Sequence, residues 1–241
     1  MKAIIKKDIH LKLAQKLVLL TSLVLACAIL IVAGISIYFG SQGLRDQADK
    51  DTLEYTELAA VQITTIIDKN LAMLKEAAEI PGVNTMDYPS QQRALDALID
   101  ELGYQDIAVM DLAGNAKYLR DGLTFKDEGD RFWYTDGFAG KTVISDVAIS
   151  RATNKPVIFE VTPIHRDGAI VGLLVGRRDP NFLADTVKKL GDGVEKYGFI
   201  YNAEGIMMAH PEDEKVLNQV NIFDEELDDG AYVTLANALK S

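Results

Sequence analysis

From residue 17 to residue 39 all 23 positions are uncharged, and most are Leu, Val, Ile or Ala. At about 1.5 Å of rise per residue, such a run crosses a hydrocarbon core of roughly 30 Å without burying a charge. It predicts a transmembrane helix over 17–39. The pattern then changes. Over 41–80, Leu44, Ala48, Leu58, Ile66, Ile67, Leu71, Leu74 and Ala78 recur at three-to-four spacing between acids and lysines, the signature of one amphipathic helix. No Gly or Pro interrupts 44–80, and Pro81-Gly82 ends it. At about 55 Å this helix is taller than a small domain. It reads as a stalk whose apolar stripe packs on its own domain, on a second copy of the chain, or on both. The alternative is two shorter helices with an unmarked break.

Beyond the stalk the periods shorten. A helix is expected over 90–102. The stretch 106–111 alternates, with Ile107 and Val109 on one face, as a strand does. Ala113-Gly114-Asn115 is a turn, 116–120 is the partner strand, and a loop rich in Asp and Gly comes next. A short helix is expected over 131–139, then strands over 142–150, 156–165 and 169–177. Turns at Ala152-Thr153-Asn154-Lys155 and Asp167-Gly168 join those strands. Strands joined by hairpins imply an antiparallel sheet, so the lobe over 90–179 is α+β.

A connecting helix over 180–190 leads to a strand at 197–201, a turn at 202–205 and a strand at 206–209. This repeats the order of 107–120 about ninety residues later and points to a second lobe over 191–241. That segment has only 51 residues, and the expectation is an incomplete lobe at the front of a longer protein.

Charge orients the chain. Residues 1–40 hold five lysines against one acid, and the remainder holds 20 basic against 35 acidic residues, within a net charge of −11. Lysines before the apolar run place residues 1–16 in the cytoplasm and the residues after the run outside it, in a plasma (inner) membrane protein. A cleaved signal peptide is the rival reading, but its apolar core is usually about 7–15 residues, shorter than this one. So acidic an exported part is a poor nucleic-acid binder. Cys27 is the lone cysteine, so no disulfide is expected. His10, His165 and His210 are too scattered for a metal site, and neither metal nor cofactor is expected. Motifs for nucleophilic catalysis, zinc hydrolysis or phosphate cradling are absent from the sequence, so the expectation is a non-enzyme.

Several segments together resemble the double Cache sensor family. Gly129-Asp130-Arg131-Phe132-Trp133-Tyr134, followed by Ala139-Gly140-Lys141, resembles the helix lining that family's ligand pocket. Ser145-Asp146 through Lys155-Pro156-Val157 resembles its following hairpin. Val171 through Asp179 resembles the closing strand of the distal lobe, and Tyr197-Gly198-Phe199-Ile200 through Ala209-His210-Pro211 resembles the start of the proximal one. The resemblance covers almost the whole chain. It implies two PAS-like lobes, and the extracytoplasmic input region of a bacterial transmembrane receptor, a chemotaxis receptor first. A membrane diguanylate cyclase or a sensor histidine kinase is the alternative. It also implies a second span and an output module outside this sequence. A membrane-anchored structural or interaction protein without a small ligand is the alternative of another class.

The resemblance places a ligand carboxylate on Arg131, Trp133 and Tyr134. The chemistry agrees: a guanidinium fork pairs two carboxylate oxygens, and indole N–H and phenol O–H add donors. Trp133 as plain core and Arg131 as a surface ion pair is the competing reading. The acids with which the family grips an ammonium are replaced here. The first pair maps to Ala148, Ile149 and Ser150, and the second falls near Arg177. Two arginines facing one cavity suit a carboxylate or other anion. Asp146, Ser150 and Arg151 flank the same hairpin as further candidates. The expected partners are a small carboxylate or amino-acid-like ligand, the membrane and a second copy of the chain.

Overall fold

The computed structural model describes residues 13–126, 129–189, 197–224 and 232–240. The chain divides into two compact units, Met1–Tyr55 and Thr56–Ser241.

The first unit carries the beginning of α1 (Leu13–Ala78), a single 66-residue helix, so the alternative of two shorter helices does not hold. Its segment Leu20–Leu44 has mean hydropathy 2.6, and none of it is buried against protein. Among the described residues it is the one helix long and apolar enough to cross a membrane. Two of its hydroxyls bond back to the helix. Thr21 Oγ1 donates to the Leu17 and Val18 carbonyls, and Ser41 Oγ to the Tyr38 carbonyl.

The second unit is α+β, as the alternation implied. Its main sheet is antiparallel throughout, in the order β3-β2-β1-β7-β6-β4, with β5 also paired to β6. The strands are β1 (Asp106–Asp111), β2 (Ala116–Tyr118), β3 (Thr124–Phe125), β4 (Val143–Ile144), β5 (Ala148–Ile149), β6 (Pro156–Arg166) and β7 (Ala169–Arg178). Both faces are buried. Ile107, Val109, Ile164 and Leu174 meet the end of α1 through Leu74, Ala77 and Ala78, and meet α2 (Tyr88–Glu101) through Leu95 and Ile99. Alternate residues Ala108, Met110, Val161, Leu173 and Val175 face the other way, onto α3 (Phe132–Phe138).

Asp87 caps α2 by accepting from Ser90 N at 3.1 Å. Tyr88 Oη and Gln92 Nε2 donate to the carbonyls at the end of β2, at 2.8 and 2.7 Å. These bonds hold α2 across the sheet.

The expected strand over 142–150 is in fact two short pieces. At the break Val147 leaves the main sheet and enters a second core with Ile158, Met207, Val216, Ile222 and Tyr232. That core belongs to a small sheet of β8 (Ile200–Tyr201) and β9 (Met207–Ala209), with α5 (Asp213–Leu217) packed on β9. The short α6 (Val233–Lys240) comes after it. The expected helix over 180–190 begins as a 3-10 turn at Pro180–Leu183 and continues as α4 (Ala184–Lys188). Leu183 and Val187 pack with Ile63, Ile66 and Ile67 of α1. One stripe of α1 thus serves both parts of this unit.

Candidate functional site

The site is built around α3. Gly137 lets the helix lie directly on the sheet, because a Cβ there would stand 3.0 Å from Leu173 Cδ1 and 3.2 Å from Val161 Cγ1. One turn earlier, on the same face, Trp133 is driven into the core with 1% exposure. Its ring packs on Phe159 with centroids 5.3 Å apart. Phe159 is the register partner of Arg177 in β7, so the two side chains leave the same face of the sheet. The guanidinium carbon of Arg177 stands 4.1 Å from the centre of the Tyr118 ring. Trp133 meets Phe159, Arg177 meets Tyr118, and the register pair Phe159–Arg177 sets the two couples side by side on one face of the sheet.

Hydrogen bonding among these residues is incomplete. Arg177 Nη2 donates to Asp121 Oδ2 at 2.9 Å. Arg177 Nε and Nη1, Trp133 Nε1 and Tyr118 Oη are buried and make no hydrogen bond of good geometry among the described residues, and the only group pulling on the Tyr118 hydroxyl is the Arg177 guanidinium above its ring. Each such group costs about 1–3 kcal/mol if left so. Burial pushes the Tyr118 phenol above its ordinary range, against an opposing pull from Arg177, so its hydroxyl stays protonated. The nearby acids are engaged. Asp106 accepts from the backbone N–H groups of Ile107, Arg120 and Asp121, and Asp121 also accepts from Leu123 N.

The other sequence candidates are distributed around this centre. Arg131 is the N-cap residue of α3, and its Nη2 donates to the Ile149 carbonyl at 3.1 Å. Beside it, Asp130 and Arg151 form a two-pronged ion pair at 3.0 and 2.8 Å, which holds the Asp130 carboxyl below the usual carboxylate range. Tyr134 turns toward the β1–β2 turn, where a Cβ on Gly114 would lie 3.4 Å from its hydroxyl oxygen, and its ring meets Phe138. Ser150 is buried, but its hydroxyl oxygen accepts from Thr153 N inside the β5–β6 turn. Asp146 accepts from Asn202 Nδ2 at 2.9 Å and so ties the hairpin to the small sheet. The structure sets Trp133 and Arg177 on one face of the sheet with Phe159 between them, sets Arg131 by β5, and occupies Ser150 and Asp146 within the framework.

Tyr118, Asp121 and Phe159 carry no site signal in the sequence. Alternation in β6 and β2 marks Phe159 and Tyr118 as inward-facing, but nothing local distinguishes them from core.

The opposite face carries a second charged cluster with its donors and acceptors paired. Glu160 is fully buried. Arg178 donates to it at 2.9 and 3.2 Å, and the Tyr104 hydroxyl makes a short hydrogen bond to it. The guanidinium of Arg178 also lies 4.4 Å from the Tyr104 ring centre. This cluster is structural.

The architecture recurs in solved structures. The ligand-binding domain of the Pseudomonas fluorescens chemoreceptor CtaA in complex with L-isoleucine superposes with a TM-score of 0.59 at 20% identity, over 76% of this chain and 78% of that one. The ligand-binding domain of the Pseudomonas aeruginosa amino acid chemoreceptor PctC in complex with GABA gives 0.54 at 16% identity, over 72% and 80%. Both likenesses are of fold. In sequence, the methyl-accepting chemotaxis protein PscA of Pseudomonas syringae pv. tomato is 21% identical over 223 residues. That alignment takes in 88% of this chain and 34% of PscA, so the chain spans about a third of the length of that relative. The family model for the Cache domain, dCache_1, matches residues 40–239, from within α1 nearly to the end of α6, and the chain belongs to that family.

Proposed function

We propose that this chain is the ligand-sensing region of a bacterial chemotaxis receptor, anchored by Leu20–Leu44 and exposing its sheets outside the cytoplasm. The observation that carries the reading is the row of buried donors beneath α3. Trp133 Nε1, Tyr118 Oη and two nitrogens of Arg177 want acceptors that the described protein does not supply. A small solute bearing a carboxylate, amino-acid-like in size, supplies them. The CtaA and PctC domains, solved with isoleucine and GABA, support a ligand of that scale.

Binding becomes a signal only if the ligand prefers one arrangement of the lobe. Two routes lead away from the site. One is the stretch from β4 through β5, which touches Arg131 at Ile149 and sends Val147 into the small-sheet core. The other is the core beneath the sheet, where Leu74, Ala77 and Ala78 belong to α1, the helix that also carries the apolar segment. The reading includes a parallel homodimer, against which α1 shifts, and an output module elsewhere in the receptor.

Trp133 is the chain's only tryptophan, so its emission reports on this site alone. The test is to titrate the full chain in detergent micelles with L-amino acids and short carboxylates, following emission together with melting temperature. A solute that raises the melting temperature should also shift the emission. Stabilisation with unchanged emission places the ligand elsewhere and defeats the reading.

A further inference from the structure

The unsatisfied groups beneath α3 are of one kind. Arg177 Nε and Nη1 and Trp133 Nε1 can only donate, and Tyr118 Oη can donate. The carboxylates within reach are already committed. Asp106 takes three backbone N–H groups, and Asp121 takes Leu123 N and the Arg177 guanidinium. Asp106 is the register partner of Arg177, and the other buried acid of the sheet, Glu160, faces the opposite side, where Arg178 and Tyr104 occupy it. Asp106 and Asp121 keep their charge, but their oxygens already accept hydrogen bonds, so an added ammonium would stand beside the Arg177 cation with no open acceptor.

Resting on the sensor reading, we infer that the site selects a small organic carboxylate lacking an α-ammonium group, held by Arg177 and Trp133 with Tyr118 donating alongside. The same acid with an amino group added is discriminated against.

Matched pairs that differ only in the ammonium test this. The probes are propionate against L-alanine, 3-methylbutanoate against L-valine, and 4-methylpentanoate against L-leucine. Each is titrated calorimetrically into the full chain in nanodiscs. In at least one pair the carboxylate should bind at least tenfold more tightly than its amino acid.

Two variants that spare the packing check the site. Trp133→Phe keeps a ring against Phe159 and removes the indole N–H, and Tyr118→Phe removes only the hydroxyl. Trp133→Phe loses no hydrogen bond to the described protein, and Tyr118→Phe gives up only the pull of Arg177 on its hydroxyl while keeping the ring under the guanidinium, so both should fold, and Trp133→Phe should weaken carboxylate binding about tenfold or more.

Amino acids binding as tightly as their partners, and weakened by Trp133→Phe, would overturn the selectivity and leave the sensing site standing. Binding of either class that ignores both variants would overturn the site itself. Binding of neither class defeats the inference and the reading beneath it.

Discussion

Arg177 and Arg178 are consecutive in β7 and stand on opposite faces of one sheet. Arg178 is closed into a pairing with buried Glu160, while Arg177 keeps two guanidinium nitrogens unmatched. Strand geometry alone separates the two roles, because successive side chains point to opposite faces. Arg178→Met or Glu160→Gln leaves a buried partner uncompensated and should cost about 3–5 kcal/mol of stability. Arg177→Met should cost less, since its lost ion-pair partner, Asp121, is 31% exposed and rehydrates. Urea denaturation of the three variants in detergent checks the order. Arg177→Met proving the most damaging would mean that Arg177 is structural.

Gly137 sets how closely α3 approaches the sheet. In Gly137→Ala the new methyl meets Leu173 and Val161 at 3.0 to 3.2 Å and must push one of them aside. Overpacking of this sort costs about 1–3 kcal/mol. The displacement also lifts Trp133 from Phe159, so ligand affinity should fall while the variant remains folded. Unchanged emission and affinity would show that the helix position does not matter to the site.

Orientation in the membrane can be read with single cysteines on a Cys27→Ser background. Lys155 lies in the exposed β5–β6 turn. Lys155→Cys in intact cells should react with a membrane-impermeant maleimide. Lys2→Cys should react only after the inner membrane is opened. The reverse pattern would refute the proposed topology.

Leu58 and Val61 lie three residues apart on α1 and are 61% and 66% exposed in the single chain. A second copy is the proposed cover. Leu58→Glu together with Val61→Glu should turn a dimer into a monomer in analytical ultracentrifugation. Sedimentation as a monomer before mutation would remove the dimer from the mechanism.

Asp100 and Asp130 are held below the ordinary carboxylate value of 3.8, by hydrogen bonds from Arg120 and Arg151 respectively. A carboxyl whose folded value is depressed binds its proton less readily than in the unfolded chain. Its contribution is therefore present above about pH 4 and lost as pH falls through the folded value. Stability measured from pH 6 down to pH 2 should decline, and the decline should be shallower in Arg151→Gln. An identical slope in the variant would show that the Asp130 pair adds nothing.

The long strands were legible in the sequence because alternation and turn residues agreed. Asn154 and Asp167 adopt positive φ at the two hairpin turns that their residue types mark. β3 was not legible, since two residues carry no period. The strand expected over 142–150 splits because Val147 answers to a different core, a tertiary demand that local alternation cannot express. Nothing in the sequence marked α5 or α6, each of which is only about two turns long or less. Within the site, the cluster Arg131-Phe132-Trp133-Tyr134 stood out as a run. The pairing of Arg177 with Asp121 spans 56 positions and exists only through the β2-β1-β7 register, which no local window contains.

The excursion of Val147 constrains anyone who would graft the main-sheet lobe of this chain onto another scaffold. A splice placed after Arg178 looks natural, since a proline turn comes directly after it. Yet Val147 and Ile158 would travel with the donor while Met207, Val216 and Ile222 stayed behind, and Gln219 would lose the Val147 carbonyl it holds at 2.8 Å. Transplants that keep these partners together should yield working hybrids, and those that separate them should yield a recognition module riding on a broken foundation.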